Sequence, residues 1–402
     1  MIALSKLNAS AFLSKGFRPF FISSALFAIA SMLLWGLFYF FQLPLRFGNL
    51  TPFQWHAHSM IFGYSTAVIA GFLLTAVTNW TDEETLTGIP LLILFTLWLF
   101  ARLTWAVMPY EPLLFGLLDI AFLLMLYYAV ARAIIRARQW RQLAIVSKLL
   151  IIILAYILFF LGAMGIVSGG ANYGIYLALI AEIALILTIA RRVFPFFAKV
   201  GLGLQTTPYS PIWIDRSSII FMLVWLVMFL FFVDSPFTAL ISFLISIVLA
   251  VRLFYWHLPG LWGISLLWSL YLSIAIIAMG FMMLSLAYFE SRLHYFGIHA
   301  LAYGGLGLIT FSMMCRVALG HTGRNVNKKY KLLDLALVSF VLGVVLRVLL
   351  PLLLPDLARV SMIASQALWI FSYVVYVWFF YPVLTQKNFV MPISKDNREV
   401  RE

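Results

Sequence analysis

The sequence predicts an all-α integral membrane protein, a bundle of about twelve transmembrane helices. First, its 402 residues are 64% hydrophobic and only 10% charged, which is far more apolar than a water-soluble domain of this length. Second, the apolar residues form runs of roughly 20, the length that a helix needs to cross the bilayer core. Third, these runs are continuous rather than alternating, which favours helices over a β-barrel. No loop has room for a soluble domain, so we expect one polytopic membrane domain over residues 1–402.

Twelve segments have the length and composition of membrane-spanning helices. The weakest boundary is the short connection "VDSP" at 233–236, and a proline in "RRVFPFF" is expected to break the sixth helix at Pro195. In chain order, the predicted spans are 17–42, 53–78, 88–108, 112–135, 147–168, 171–197, 217–233, 236–253, 261–286, 295–316, 331–350 and 358–384.

The net charge of +13 follows the positive-inside rule and needs no nucleic-acid partner. An even number of spans puts both termini on one side, and most of the Lys and Arg residues make that side cytoplasmic. The basic residues predicted to be cytoplasmic are Lys6, Lys15, Arg18, Arg132–Lys148, Arg191–Arg216, Arg252, Arg316–Lys331 and Lys387–Arg401, and those predicted on the outer side are Arg46, Arg102, Arg292, Arg347 and Arg359.

Four of the six histidines are predicted to share one depth in the membrane. Helices two and ten both run inward, so His56, His58, His294 and His299 lie at their outer ends. An imidazole near a bilayer needs a hydrogen bond, a metal or a haem iron, so this layer is a candidate site. The alternative is that water satisfies these side chains at the interface. His321 is predicted to emerge on the cytoplasmic side.

The spacing of His56 and His58 predicts that they have different roles. Residues two apart on a helix point about 200° away from each other. We therefore expect one to bind a ligand, and the other to form a hydrogen bond or meet a second group.

Three buried charges form a second candidate set. Arg102 and Asp119 lie about seven residues on either side of the turn at 109–112, so antiparallel helices place them at one depth. They form a structural ion pair, or else Arg102, with Arg347, faces an anionic group such as a haem propionate. Glu182 lies in the middle of helix six and is either a proton-relay acid or a hydrogen-bonding group.

Several segments together resemble the NnrS family of bacterial membrane proteins, in order from helix one to helix ten. The five matching segments are "GFRPFF" (16–21), "WHAHSMIFGYSTAVIAGFLLTAVTNWT" (55–81), "LWLFARL" (97–103), "RRVFPFF" (191–197) and "HALAYGGLG…RVALGHTGR" (299–324). The second and the last of these segments are specific to the family, and the other three support the match.

The resemblance implies a haem- and copper-containing protein of the bacterial inner membrane, linked to denitrification and to resistance against nitric oxide. His56, His58, His299 and His321 fall on histidine positions of the family and are the implied ligands. Many relatives carry a histidine where this chain has Tyr271. If that histidine is a ligand in those relatives, this chain has a different ligand set, a phenolate ligand or one metal fewer.

The sequence is compatible with two functions, a haem protein and a secondary transporter. A haem protein would bind nitric oxide at its iron, either as a sensor or with turnover, and a redox partner or a second copy of the chain would fit it. The alternative is a secondary transporter that uses Arg102, Asp119 and Glu182, since twelve helices and buried charges are common in that class. A haem protein is coloured, whereas a transporter is colourless.

Overall fold

The computed structural model describes residues 11–43, 48–108 and 111–386. These residues form twelve helices that are long and apolar enough to cross a membrane, and they contain no strand, which confirms the predicted fold class. We number the helices α1 to α12: Phe17–Phe41, Pro52–Thr81, Gly88–Val107, Pro112–Arg136, Trp140–Ala163, Gly170–Leu202, Ile212–Phe231, Pro236–Trp256, Ser265–Leu286, Arg292–Gly320, Lys331–Leu353 and Pro355–Thr385.

Helix α1 begins at the same end of the bundle at which α12 ends. Arg18 at the start of α1 donates a hydrogen bond from Nη1 to the carbonyl oxygen of Leu384 in α12, at 2.9 Å. We call this the termini end. That it faces the cytoplasm stays a prediction from the charge asymmetry. Some of the basic residues behind that prediction lie outside the described residues, namely Lys6, Arg46 and Lys387–Arg401. Pro109, in the turn between α3 and α4, also lies outside them.

The predicted break at Pro195 was wrong, because α6 runs without interruption from Gly170 to Leu202. Proline removes one backbone hydrogen bond, but membrane helices tolerate it where neighbouring helices hold the chain in place. Here the ring of Phe194, the preceding residue, stacks on Trp256 of α8 with a centroid distance of 4.5 Å.

Three of the membrane helices contain π-helical segments, in which the backbone bonds from residue i to i+5. They are Ser59–Ser65 in α2, Ala300–Gly307 in α10 and Val345–Leu349 in α11. The first begins directly after His58 and the second directly after His299. Such segments are rare and often occur at functional sites.

Candidate functional site

A cavity of about 360 Å³ lies between α1, α2, α6, α10, α11 and α12. Its volume is in the range of small-molecule and cofactor sites. All three π-helical segments contribute to its wall, which is mostly aromatic and aliphatic. The wall also contains three imidazoles and one guanidinium, from His56, His294, His299 and Arg347. We call it the outer cavity.

His56 reaches the outer cavity because α2 has a well-defined start. Thr51 and Gln54 form a capping box in which each side chain bonds the other's backbone N–H, at 3.2 and 2.8 Å. This puts His56 near the end of the first turn, where its ring stacks on Trp35 of α1 at 4.5 Å. Its Nδ1 is buried and has no hydrogen-bond partner among the described residues. Leaving such an atom unpaired costs about 1–3 kcal/mol, which a ligand in the cavity can offset.

His299 has a defined orientation and contacts the only guanidinium of the cavity wall. Its Nδ1 lies 2.9 Å from the carbonyl oxygen of Tyr295, so Nδ1 carries the proton and donates. Arg347 then donates from Nη2 to the unprotonated Nε2, at 2.9 Å. Among the described residues, no carboxylate lies within salt-bridge distance of Arg347. The cavity therefore contains a cation without a counter-anion.

His294 borders the same cavity, one turn before His299. Its ring stacks on Phe229 with a centroid distance of 5.8 Å and meets the edge of Tyr176 at 6.3 Å. Three of the four histidines that were predicted to share a depth thus face one space.

His58, the fourth member of the predicted layer, turns away from the outer cavity. Its ring stacks on Phe159 at 4.7 Å, and its Nε2 lies 3.7 Å from a carboxylate oxygen of Asp119. His56 and His58 therefore point in different directions, as their spacing predicts.

Arg102 and Asp119 form a buried ion pair, as one of the two interpretations predicted. Arg102 bonds Oδ1 of Asp119, and Oδ2 accepts a hydrogen bond from the hydroxyl of Tyr156 at 2.9 Å. Arg102 also donates at 3.1 Å to the carbonyl oxygen of Phe62, in the π-helical segment of α2. The side chain does not border the outer cavity, so the structure does not place Arg102 beside Arg347. We call His58, Arg102, Asp119 and Tyr156 the ion-pair cluster.

His321 lies at the termini end, remote from the outer cavity. The 22 residues from His299 to His321 span about 33 Å along α10. Its Nε2 is 3.4 Å from the side-chain nitrogen of Asn79. Burial, and then the charge of Lys15, lower the pKa of His321 below its ordinary value. The four histidines implied by the family resemblance therefore do not converge.

Tyr271 and Glu182 also lie outside the outer cavity. The hydroxyl of Tyr271 donates to the carbonyl oxygen of Leu253 at 3.4 Å, so the structure does not group it with the cavity histidines. Glu182 is fully buried, and the hydroxyl of Ser65 faces it. Neither carboxyl oxygen reaches a partner with hydrogen-bond geometry. The two roles of Glu182, proton-relay acid or hydrogen-bonding group, stay predictions.

Three thioethers that were not predicted from the sequence also line the outer cavity, from Met32, Met60 and Met362. Met60 follows His56 by one helical turn, which is a usable signal. Met32 and Met362 come from α1 and α12, and their positions in the sequence give no such signal. Within the described ranges, no group of three or more His, Cys, Asp or Glu side chains could hold a metal ion. A metal here would combine imidazole with thioether, or bring its own ligands as haem does.

The fold and the cavity define a polytopic helical membrane protein with a cofactor-sized site near one face of the bundle. The family model described as NnrS protein matches residues 11–388, so the chain belongs to the NnrS family. This confirms the resemblance seen in the sequence. None of the curated proteins compared with the chain matches it.

Proposed function

We propose that this chain is a bacterial inner-membrane haem protein that binds nitric oxide in the outer cavity. One observation carries the proposal: His56 and His299 face the same space as Arg347, a cation that has no carboxylate partner in the described part of the chain. An imidazole is a common axial ligand of haem iron, and a guanidinium suits a propionate. The donors in the wall therefore fit the group.

Each of these side chains has a definable task. The bond from His299 to the carbonyl of Tyr295 orients the ring and leaves Nε2 free of a proton, as in many metal-binding histidines. Trp35 holds the His56 ring by stacking. Arg347 donates to that Nε2 in the structure, so it would have to turn from His299 to a propionate and leave the nitrogen to the iron. When bound, haem would supply an iron that takes up nitric oxide directly.

Copper, the second metal that the family resemblance implies, would also find donors here. Copper(I) prefers imidazole and thioether ligands. His56, together with Met32, Met60 and Met362, offers both kinds in one wall. Metal analysis of the purified protein tests this part of the proposal separately from haem.

The experiment is an absorption spectrum of the purified protein, oxidised and reduced, with and without nitric oxide. We expect a Soret band that shifts with nitric oxide. His299→Ala should lose or shift the band, whereas the control His257→Ala should not, because His257 lies outside the outer cavity and bonds Trp262 at 3.3 Å. A preparation that stays colourless after haem supplementation would overturn the proposal.

The structure does not favour the transporter alternative. Arg102 and Asp119 bond each other, and neither lines the outer cavity. Of the three residues that this alternative needs, Glu182 alone has no hydrogen-bond partner among the residues that the structure describes.

A further inference from the structure

A second cavity lies deeper in the bundle, between α2, α6, α8, α9 and α10. It has a volume of about 60 Å³, and its wall is apolar except for the hydroxyl of Thr310 and the indole of Trp256. Most of the lining side chains are buried. We call it the inner cavity. Neither the proposed haem site nor the family resemblance assigns it a role.

The inner cavity continues the outer cavity along the same helix faces. In α2, α6 and α10, residues that line the outer cavity are followed, one or two helical turns later, by residues that line the inner one. The pairs, outer then inner, are Tyr64 and Val68, Leu179 and Ile186, and Leu306 and Thr310.

A hydroxyl pair separates the two spaces. The phenol of Tyr64 borders the outer cavity and bonds the hydroxyl of Thr310, which borders the inner cavity, at 2.7 Å. The Tyr64 phenol also bonds Tyr373. A bond between neutral groups contributes only about 0.5–1.5 kcal/mol, so thermal motion can open it briefly.

The walls of the inner cavity exclude water and favour an apolar occupant. A buried water needs two to four polar partners, and apolar cavities of this kind stay dry and bind small apolar molecules or xenon. Here Thr310 already bonds Tyr64 and the carbonyl of Leu306. Among the described residues, the indole N–H of Trp256 is the one lining donor left without a partner, which is fewer than a buried water needs. A volume of about 60 Å³ holds a few atoms and not a lipid chain.

The inner cavity meets the protein surface within the membrane-spanning part of the bundle. Its partly exposed lining residues are all apolar and lie inside the helix spans of α2, α6 and α10. They are Phe72, Ile189, Val193 and Met313. An uncharged molecule dissolved in the hydrocarbon would therefore enter without crossing a polar layer.

We propose that the inner cavity binds a small uncharged molecule of a few atoms from the bilayer and passes it to the outer cavity past Tyr64 and Thr310. The binding site stands on its own geometry. That nitric oxide is the molecule, and haem its destination, rests on the proposed function.

Xenon tests the binding site without any need for haem. Xenon NMR of the protein in nanodiscs should show a saturable bound population. Ile186→Phe fills the inner cavity and should abolish that population, whereas Ile247→Phe, on the lipid-facing side of α8, should keep it. Ala190→Leu, also in the cavity wall, is the second filling variant in case Ile186→Phe does not fold. Xenon binding that is absent from the wild type, or unchanged in the filling variants, would overturn the proposal.

Flash photolysis tests the route. After photolysis of the nitric oxide complex, rebinding from solution should be severalfold slower in Ile186→Phe than in Ile247→Phe, with unchanged spectra. Equal rates would overturn the route. A haem-free protein that still binds xenon would overturn the proposed function and leave the inner site in place, so the two failures are distinguishable.

Discussion

Two polar groups of side chains flank the start of α2, and they differ in how far their members satisfy one another. In the ion-pair cluster, Arg102 and Tyr156 both bond the carboxylate of Asp119. Nε2 of His58 has no hydrogen-bond partner among the described residues, but it lies 3.7 Å from that carboxylate, so every charge of the cluster faces an opposite charge or a donor. In the outer cavity, His56 has an unpartnered nitrogen and Arg347 lacks a carboxylate among the described residues. Paired buried charges stabilise a fold only as a set, whereas unpaired ones are available to a ligand. We therefore assign stability to the cluster and binding to the cavity.

The largest expected effect is on stability, from Arg102→Met. The substitution leaves Asp119 buried without its cation, which costs about 3–5 kcal/mol. Denaturant unfolding in micelles measures the loss. Arg292→Met is the matched control, because Arg292 pairs with Glu290 at the exposed surface and its removal should change little. Equal losses in both variants would remove the distinction between buried and surface pairs.

Tyr156→Phe should have the second-largest effect. It removes a hydrogen bond to a buried carboxylate, which contributes about 1.5–3 kcal/mol. Tyr128→Phe, on the exposed face of α4, should have no effect. In the double variant with Arg102→Met, the loss of unfolding free energy should differ from the sum of the two single losses, because both side chains bond Asp119. Additive losses would mean that the cluster does not act as a unit.

Arg347→Met gives the sharpest contrast with Arg102→Met. The same substitution should here lower the haem content more than the stability. Arg347 has no carboxylate partner among the described residues, so its removal leaves no buried anion unpaired. It does leave Nε2 of His299 without its donor, which costs at most about 1–3 kcal/mol, so the loss of unfolding free energy should be smaller than in Arg102→Met. Haem content, measured by the pyridine haemochrome assay after supplementation, should fall. If Arg347→Met is as unstable as Arg102→Met and retains haem, the assignment of the two regions is wrong.

The comparison also shows what the sequence could predict. Continuous apolar runs were enough to locate all twelve helices of the described residues, because crossing a bilayer imposes a minimum apolar length on each. The divergence of His56 and His58 and the pairing of Arg102 with Asp119 followed from helix periodicity and hairpin geometry. Such inferences need only local rules.

Contacts between distant segments were not predictable in this way. The bond between His299 and Arg347 joins residues 48 apart, and no local pattern encodes it. The π-helical segments depend on tertiary partners, such as Arg102 at the carbonyl of Phe62. The predicted break at Pro195 failed for the same reason, since packing on α8 outweighs the intrinsic preference of proline.

The smallest predicted effect concerns His321, which belongs to neither region. Its pKa in the folded protein lies below the ordinary value of 6.5, so the folded state takes up this proton less readily than the unfolded state. The fold therefore loses stability as the pH falls below about 6.5, and this residue contributes no pH dependence above that value. His321→Gln should lose less stability than the wild type between roughly pH 7.5 and pH 5, with unchanged haem content. Parallel pH profiles would contradict this account of His321, and a loss of haem would return the residue to the ligand set.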